Sequence, residues 1–140
     1  MSAKFLVKNT QSNGGALSLN VLLNNETKYM ITQCVEPVYE FNFDIVETSK
    51  IRFVVGNKQP EHTIVSNGQI IKDTFLQIEN ISINDISVMD SINLFSNYFT
   101  EANGVLRTNG FLTFNGDYVF KFRYPLSNHL TLCDYYTPAS

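Results

Sequence analysis

The residues of this chain best suited to chemistry are oxygen donors around one loop, Asn57, Glu61 and Asp73, with a Ser66-Asn67-Gly68 turn among them. A hard cation such as Ca2+ takes about six to eight oxygen ligands from carboxylates, amides and backbone carbonyls, and loops present these best. Asn57, Glu61 and Asp73 are therefore the expected ligands of any Ca2+ held here. The plainer alternative has Asp73 capping a turn and Glu61 in solvent. Further along, Asn84-Asp85 interrupts a run of alternating residues and reads as a bulge or an exposed kink.

Catalysis by a nucleophile needs a base and an orienting group beside it. The two histidines are poor material for that. His62 lies in Glu61-His62-Thr63 and His129 follows Ser127-Asn128, neither in a motif such as Gly-x-Ser-x-Gly, and an isolated loop histidine is ordinarily solvated. A hydrolase reading would need two carboxylates converging, about 5 Å apart for retaining chemistry, and no spacing here establishes such a pair. Zinc fares no better, because Cys34, Cys133 and the histidines lack short-range ligand spacing. The two cysteines read as buried free thiols in preference to a disulfide. The chain is expected not to be an enzyme.

Aromatic side chains offer a different capacity. Tyr98, Tyr124, Tyr135 and Tyr136 are candidates for a sugar-stacking platform or an interface anchor, with core packing as the alternative. Tyr135 and Tyr136 are adjacent on a strand, so one of them points outward.

The elements that must position these groups are strands. Leu17, Leu19, Val21 and Leu23 alternate with Ser18, Asn20 and Leu22, end at Asn24-Asn25-Glu26, and return through residues 29–32 as a hairpin closed by Pro37. Tyr39, Phe41, Phe43 and Ile45 form the cleanest half-buried strand, and Ile51, Phe53 and Val55 the next, with Glu47-Thr48-Ser49 turning between them. Phe75, Ile78, Ile81, Ile83, Ile86 and Val88 recur at steps of two and three and read as one long strand. Residues 91–100 are irregular or one short helical turn. Phe111 and Phe114 followed by Tyr118, Phe120 and Phe122 predict a second hairpin about Asn115-Gly116-Asp117, and residues 129–136 a last strand. Residues 5–8 open the chain as a short strand, and TQSNGG (10–15) breaks it.

Many short strands without an amphipathic helix predict an all-β fold, an antiparallel β-sandwich of jelly-roll type spanning residues 1–140 as a single domain. An immunoglobulin-type sandwich comes second, since its Cys-Trp-Cys framework is missing in a chain with no Trp. Composition agrees: 44% hydrophobic, with eleven Phe and seven Tyr among 140 residues, is enough to fill a two-sheet core. A net charge of −3, with ten Lys and Arg scattered singly, carries no nucleic-acid footprint. No stretch approaches the roughly 20 apolar residues of a membrane span, nor is there an N-terminal signal, so synthesis in the cytoplasm is expected. Two Asn-x-Ser/Thr sequons, at Asn25 and Asn80, are read as chance in an Asn-rich chain.

Residues 14–88, with an early Gly-Gly turn, paired short strands, FVVGNK and then a loop closing with KDTFLQIENISI, resemble the calcium-dependent xylan-binding carbohydrate-binding modules. The resemblance implies a jelly roll and a calcium ion at a loop leading into a late strand, where the ion itself coordinates sugar hydroxyls. In that pattern an Asn-Asp pair ends one strand and an Asp opens the loop-to-strand segment. Asn57 and Asp73 match, while Lys58 stands where the acidic partner belongs.

The whole chain, including TNGFLTFNGDYVFKFRYPLSNHLTL, also looks like small β-proteins of tailed phages of marine and cyanobacterial hosts. That likeness implies a non-enzymatic virion protein, either a capsid decoration or cement protein or a tail-associated one. It would be homo-oligomeric or shell-bound, with other virion proteins as partners. The alternative expectation is a calcium-dependent module adhering to a surface glycan.

Overall fold

Side chains that are apolar at every second position can all be buried only if the chain is extended and one face is covered. The computed structural model, which describes residues 2–11, 16–45, 48–59, 63–94, 96–100 and 103–123, realises that arrangement. The strands are β1 (Ser2–Thr10), β2 (Ser18–Leu23), β3 (Glu26–Ile31), β4 (Val38–Asp44), β5 (Thr48–Gly56), β6 (Ile64–Ser66) and β7 (Gln69–Lys72). They continue with β8 (Phe75–Ile83), β9 (Ile86–Ser87), β10 (Ser96–Thr100), β11 (Gly104–Leu106), β12 (Phe111–Leu112) and β13 (Gly116–Arg123). A five-stranded sheet runs β12-β8-β1-β4, with β9 added on β8, and a six-stranded sheet runs β11-β10-β13-β5-β2-β3. Among the described residues β6 and β7 pair only with each other. The strand pairs are antiparallel, as in the expected jelly-roll sandwich.

The two sheets meet through aromatic rings. Phe5 of β1 lies with its centroid 5.1 Å from both Phe53 of β5 and Phe120 of β13, so one ring from the first sheet is wedged between two from the second. Phe41 and Phe43 of β4 extend the layer towards Tyr29 of β3. Burying each such ring stabilises the fold by about 1.5–3 kcal/mol.

On β8 the buried residues are Leu76, Ile78, Ile81 and Ile83, with a step of three in the middle. A register shift against β1 accounts for it: Leu6 pairs with Asn80 and Val7 with Ile78, leaving Glu79 as the extra, exposed residue of a bulge. The bulge returns the apolar set to the inner face after the step.

Four readings of the strands change. Asn84-Asp85 is a two-residue hairpin turn, not a bulge or kink: both residues take positive φ (49° and 67°), and Ile83 pairs with Ile86 across it. Residues 111–123 do not form a hairpin, because β12 joins β8 in the five-stranded sheet while β13 lies between β10 and β5 in the other. β4 and β5, consecutive in the chain, likewise belong to different sheets. Residues 91–100 divide into the end of a 3-10 helix, Met89–Leu94, and strand β10. The expected last strand, 129–136, lies outside the described residues, as do His62, His129 and Cys133. No helix among the described residues is long and apolar enough to cross a membrane.

Candidate functional site

At one end of the sandwich three connections converge: the residues leaving β5, those entering β8 and those entering β13. Asn57 ends β5 by taking a left-handed backbone (φ 64°), which Asn tolerates because its short amide bonds locally. Its Nδ2 donates to the Ala16 carbonyl at 2.9 Å, and its Oδ1 accepts from Gln59 Nε2 at 3.4 Å. The turn aims Lys58 inward. The Lys58 amide donates to Asn115 Oδ1 at 2.8 Å, and Asn115 Nδ2 returns a bond to the Lys58 carbonyl at 3.2 Å.

The Lys58 side chain then reaches across to the start of β8. Its ammonium donates to Asp73 Oδ1 at 2.5 Å and to the Thr74 carbonyl. The same Asp73 oxygen also accepts from Thr63 Oγ1 at 2.7 Å and from the Thr74 amide at 2.9 Å. The Lys58 and Asp73 side chains are only 12% and 19% exposed, which shields the pair from solvent and makes it stronger than a surface ion pair.

Aromatic residues adjoin this cluster in the sequence. Phe75 follows Thr74 directly, and its ring lies 5.8 Å from that of Phe111 on the edge strand β12. Phe111 and Phe114 are each 38% exposed, and Phe114 adjoins Asn115. Along the chain the polar cluster is thus flanked by ring surface: the Phe75–Phe111 contact after Thr74 and the exposed Phe114 before Asn115. That combination suits a ligand with both C–H faces and hydroxyl groups.

The sequence-predicted residues fall differently. Tyr98 is fully buried, so it is neither a stacking platform nor an interface anchor. Its ring packs on that of Tyr118 at 5.4 Å, its hydroxyl donates to the Phe114 carbonyl, and it accepts from the Phe114 amide at 2.9 Å. The reason is register: Tyr98 and Tyr118 face each other on β10 and β13, on the side turned to the core. Tyr124, Tyr135, Tyr136 and Glu61 lie outside the described residues. Sequence reasoning missed Asn115 as a clamp and Phe111 as an outward ring, because it folded both into a hairpin. It also missed a cross-strand ion pair on the outer face of the six-stranded sheet. There Arg52 Nε donates to Asp117 Oδ2 at 2.9 Å, and the guanidinium reaches Asn25 Oδ1 at 3.3 Å.

No family model matches the chain, and no curated protein matches it. Solved structures do. A selenomethionine form of vCBM60, from work linking two families of calcium-dependent carbohydrate binding modules by circular permutation, aligns with a TM-score of 0.51 at 18% identity over 85% of this chain and 88% of that one. The chain shares the vCBM60 fold. A second structure, vCBM60 in complex with galactobiose, covers 86% of this chain and 97% of that one at 16% identity, with a TM-score of 0.47.

Whether the residues here suit a calcium ion is decided by what surrounds the Asp73 carboxylate. A cation site needs lone pairs turned inward. Asp73 Oδ1 instead receives an ammonium, a hydroxyl and an amide, all hydrogen donors, and both ends of the Asn57 amide are engaged elsewhere. Among the described residues no group of three or more His, Cys, Asp or Glu could hold a metal ion. Asp73 Oδ1 and the Asn57 amide thus face hydrogen-bond partners within the chain, while Glu61, the third expected ligand, lies outside the described residues.

Proposed function

We propose that the chain is a non-catalytic glycan-binding module, and that its ligand lies on the end of the sandwich formed by Phe75, Phe111 and Phe114 beside the Lys58–Asp73 pair. The observation that carries this reading is the Phe75–Phe111 ring contact, with Phe111 and Phe114 each 38% exposed and Asp73, paired with Lys58, two residues before Phe75, in a fold shared with vCBM60. A pyranose offers an apolar C–H face to a ring and hydroxyls to an amide, so ring and amide together supply orientation and affinity. Of the two expectations raised by the sequence, glycan adhesion is the better supported.

Calorimetry against a panel of plant and algal polysaccharides and short galactosides tests it. Phe111→Ala is expected to weaken binding about tenfold, the equivalent of one aromatic contact. A panel without a binder, or a Phe111→Ala variant that binds like the wild type, would reject the assignment.

A virion surface role is the second reading, favoured by apolar side chains on open sheet edges. Met30 on edge strand β3 is 68% exposed and Val105 on edge strand β11 is 59% exposed, and an edge with unpaired backbone groups readily accepts a neighbouring chain. In this reading the module decorates a capsid or tail and carries the glycan site outward. Co-sedimentation with particles and light scattering test it, and a chain that stays monomeric and leaves particles bare would sink it.

A further inference from the structure

We infer that Lys58 is a covalently tethered counter-cation: at the junction of β5 and β8 its ammonium does the work that a bound divalent ion would do, so this chain needs no calcium to hold that end of the sandwich. The inference concerns the fold and does not depend on whether a glycan binds.

Asp73 is a largely covered carboxylate at the mouth of β8, and an uncompensated charge there would be costly. Divalent ions solve such a problem by drawing loops together through oxygens of several segments. Lys58 draws the same kinds of oxygen together: a carboxylate oxygen of Asp73 and a backbone carbonyl of Thr74 both accept from its ammonium. Its backbone is held independently by Asn115, so the charge is delivered by a fixed arm. Three connections are tied by one residue. An ammonium also differs from an ion in a testable way, since it cannot be chelated or diluted away.

The inference further accounts for the departure from the calcium pattern. A lysine replaces the acidic residue expected after Asn57, and an acid at that position would add charge where Asp73 already supplies one. Lysine reverses the local balance, leaving one cation for one anion within hydrogen-bonding distance.

The test is thermal melting of the full chain followed by circular dichroism, once in EDTA and once in millimolar CaCl2. The two midpoints are expected to coincide; a midpoint raised by calcium would overturn the inference, and this arm needs no variant. The second arm is a cycle of Lys58→Met, Asp73→Asn and both together. Lys58→Met should lower the midpoint by about 3–10 °C because it strands the carboxylate, and adding Asp73→Asn should recover much of that loss. Losses that simply add would overturn it. The melting and binding arms separate the two proposals: a midpoint raised by calcium in a chain that binds glycan removes this inference and leaves the glycan reading standing, whereas calcium-insensitive melting with no glycan binder does the reverse.

Discussion

Asn115 grips the peptide of Lys58 from both sides, accepting from its amide at 2.8 Å and donating to its carbonyl at 3.2 Å, although the two residues are 57 positions apart in the chain. A side-chain amide is one of few groups able to satisfy both backbone partners of a single residue, which is why an Asn serves here. The clamp joins the exit of β5 to the entrance of β13 and holds the lysine that meets Asp73. Asn115→Ala is expected to destabilise the chain by about 1–3 kcal/mol, because it leaves an amide and a carbonyl unpaired. Urea unfolding measures it. An unchanged midpoint would mean that water replaces the clamp without cost.

Gly116 opens β13 directly opposite Thr100 on β10. A Cβ there would run into the Phe99 carbonyl oxygen and come within 3.0 Å of the Thr100 Cα and 3.1 Å of Tyr98. Backbone atoms cannot swing aside, so Gly116→Ala should cost about 1–3 kcal/mol by forcing β10 and β13 apart. Its close approach, and not a turn, is what requires glycine at this position. A variant as stable as the wild type in urea would contradict the packing.

Burial pushes the Tyr98 phenol up from 10.0 to about 12, against the opposing effect of its backbone bond at Phe114. The unfolded chain thus ionises first. The stability contributed by the protonated phenol is whole below about pH 10 and is lost as the pH climbs towards 12, because the unfolded state then binds fewer protons. Burial raises the neighbouring Tyr118 phenol as well, steepening the same alkaline loss. Tyr98→Phe should cost about 1–2 kcal/mol at neutral pH through the bonds lost at Phe114, and should flatten the decline in the alkaline window. Denaturant midpoints taken across that window check both effects, and equal slopes for the two proteins would show that the phenol does not titrate on unfolding.

Cys34 is fully buried, its amide donates to the Leu17 carbonyl at 2.7 Å, and its own carbonyl accepts from Asn9 Nδ2 at 2.7 Å. Burial pushes its thiol up from 9.0 to about 11. A neutral, covered thiol is a poor nucleophile. In a Cys133→Ser background, Cys34 should therefore resist a thiol reagent at pH 8 in the native protein and react at once in denaturant. Rapid native labelling would mean that this connection opens readily.

The alternating pattern carried much of the fold in plain view. Phe41 and Phe43, Ile51 and Phe53, Leu19 and Val21 are buried as their spacing requires, and the Asn24-Asn25 and Asn67-Gly68 turns take the positive φ that their residues favour. Such features are local: side-chain period and turn chemistry depend on neighbours a few positions away. Pairing between distant strands is not local. Phe111 and Tyr118 share an apolar rhythm, yet they lie in different sheets, because β12 pairs with β8 while β13 pairs with β5 and β10. The same limit hid the candidate site. Lys58, Asp73 and Asn115 come together only when three chain ends meet at one end of the sandwich, and Tyr98 turns inward only because its register with Tyr118 places both rings in the core. Local pattern sets which residues want to be covered; long-range strand pairing sets what covers them, and therefore which polar groups are left facing one another.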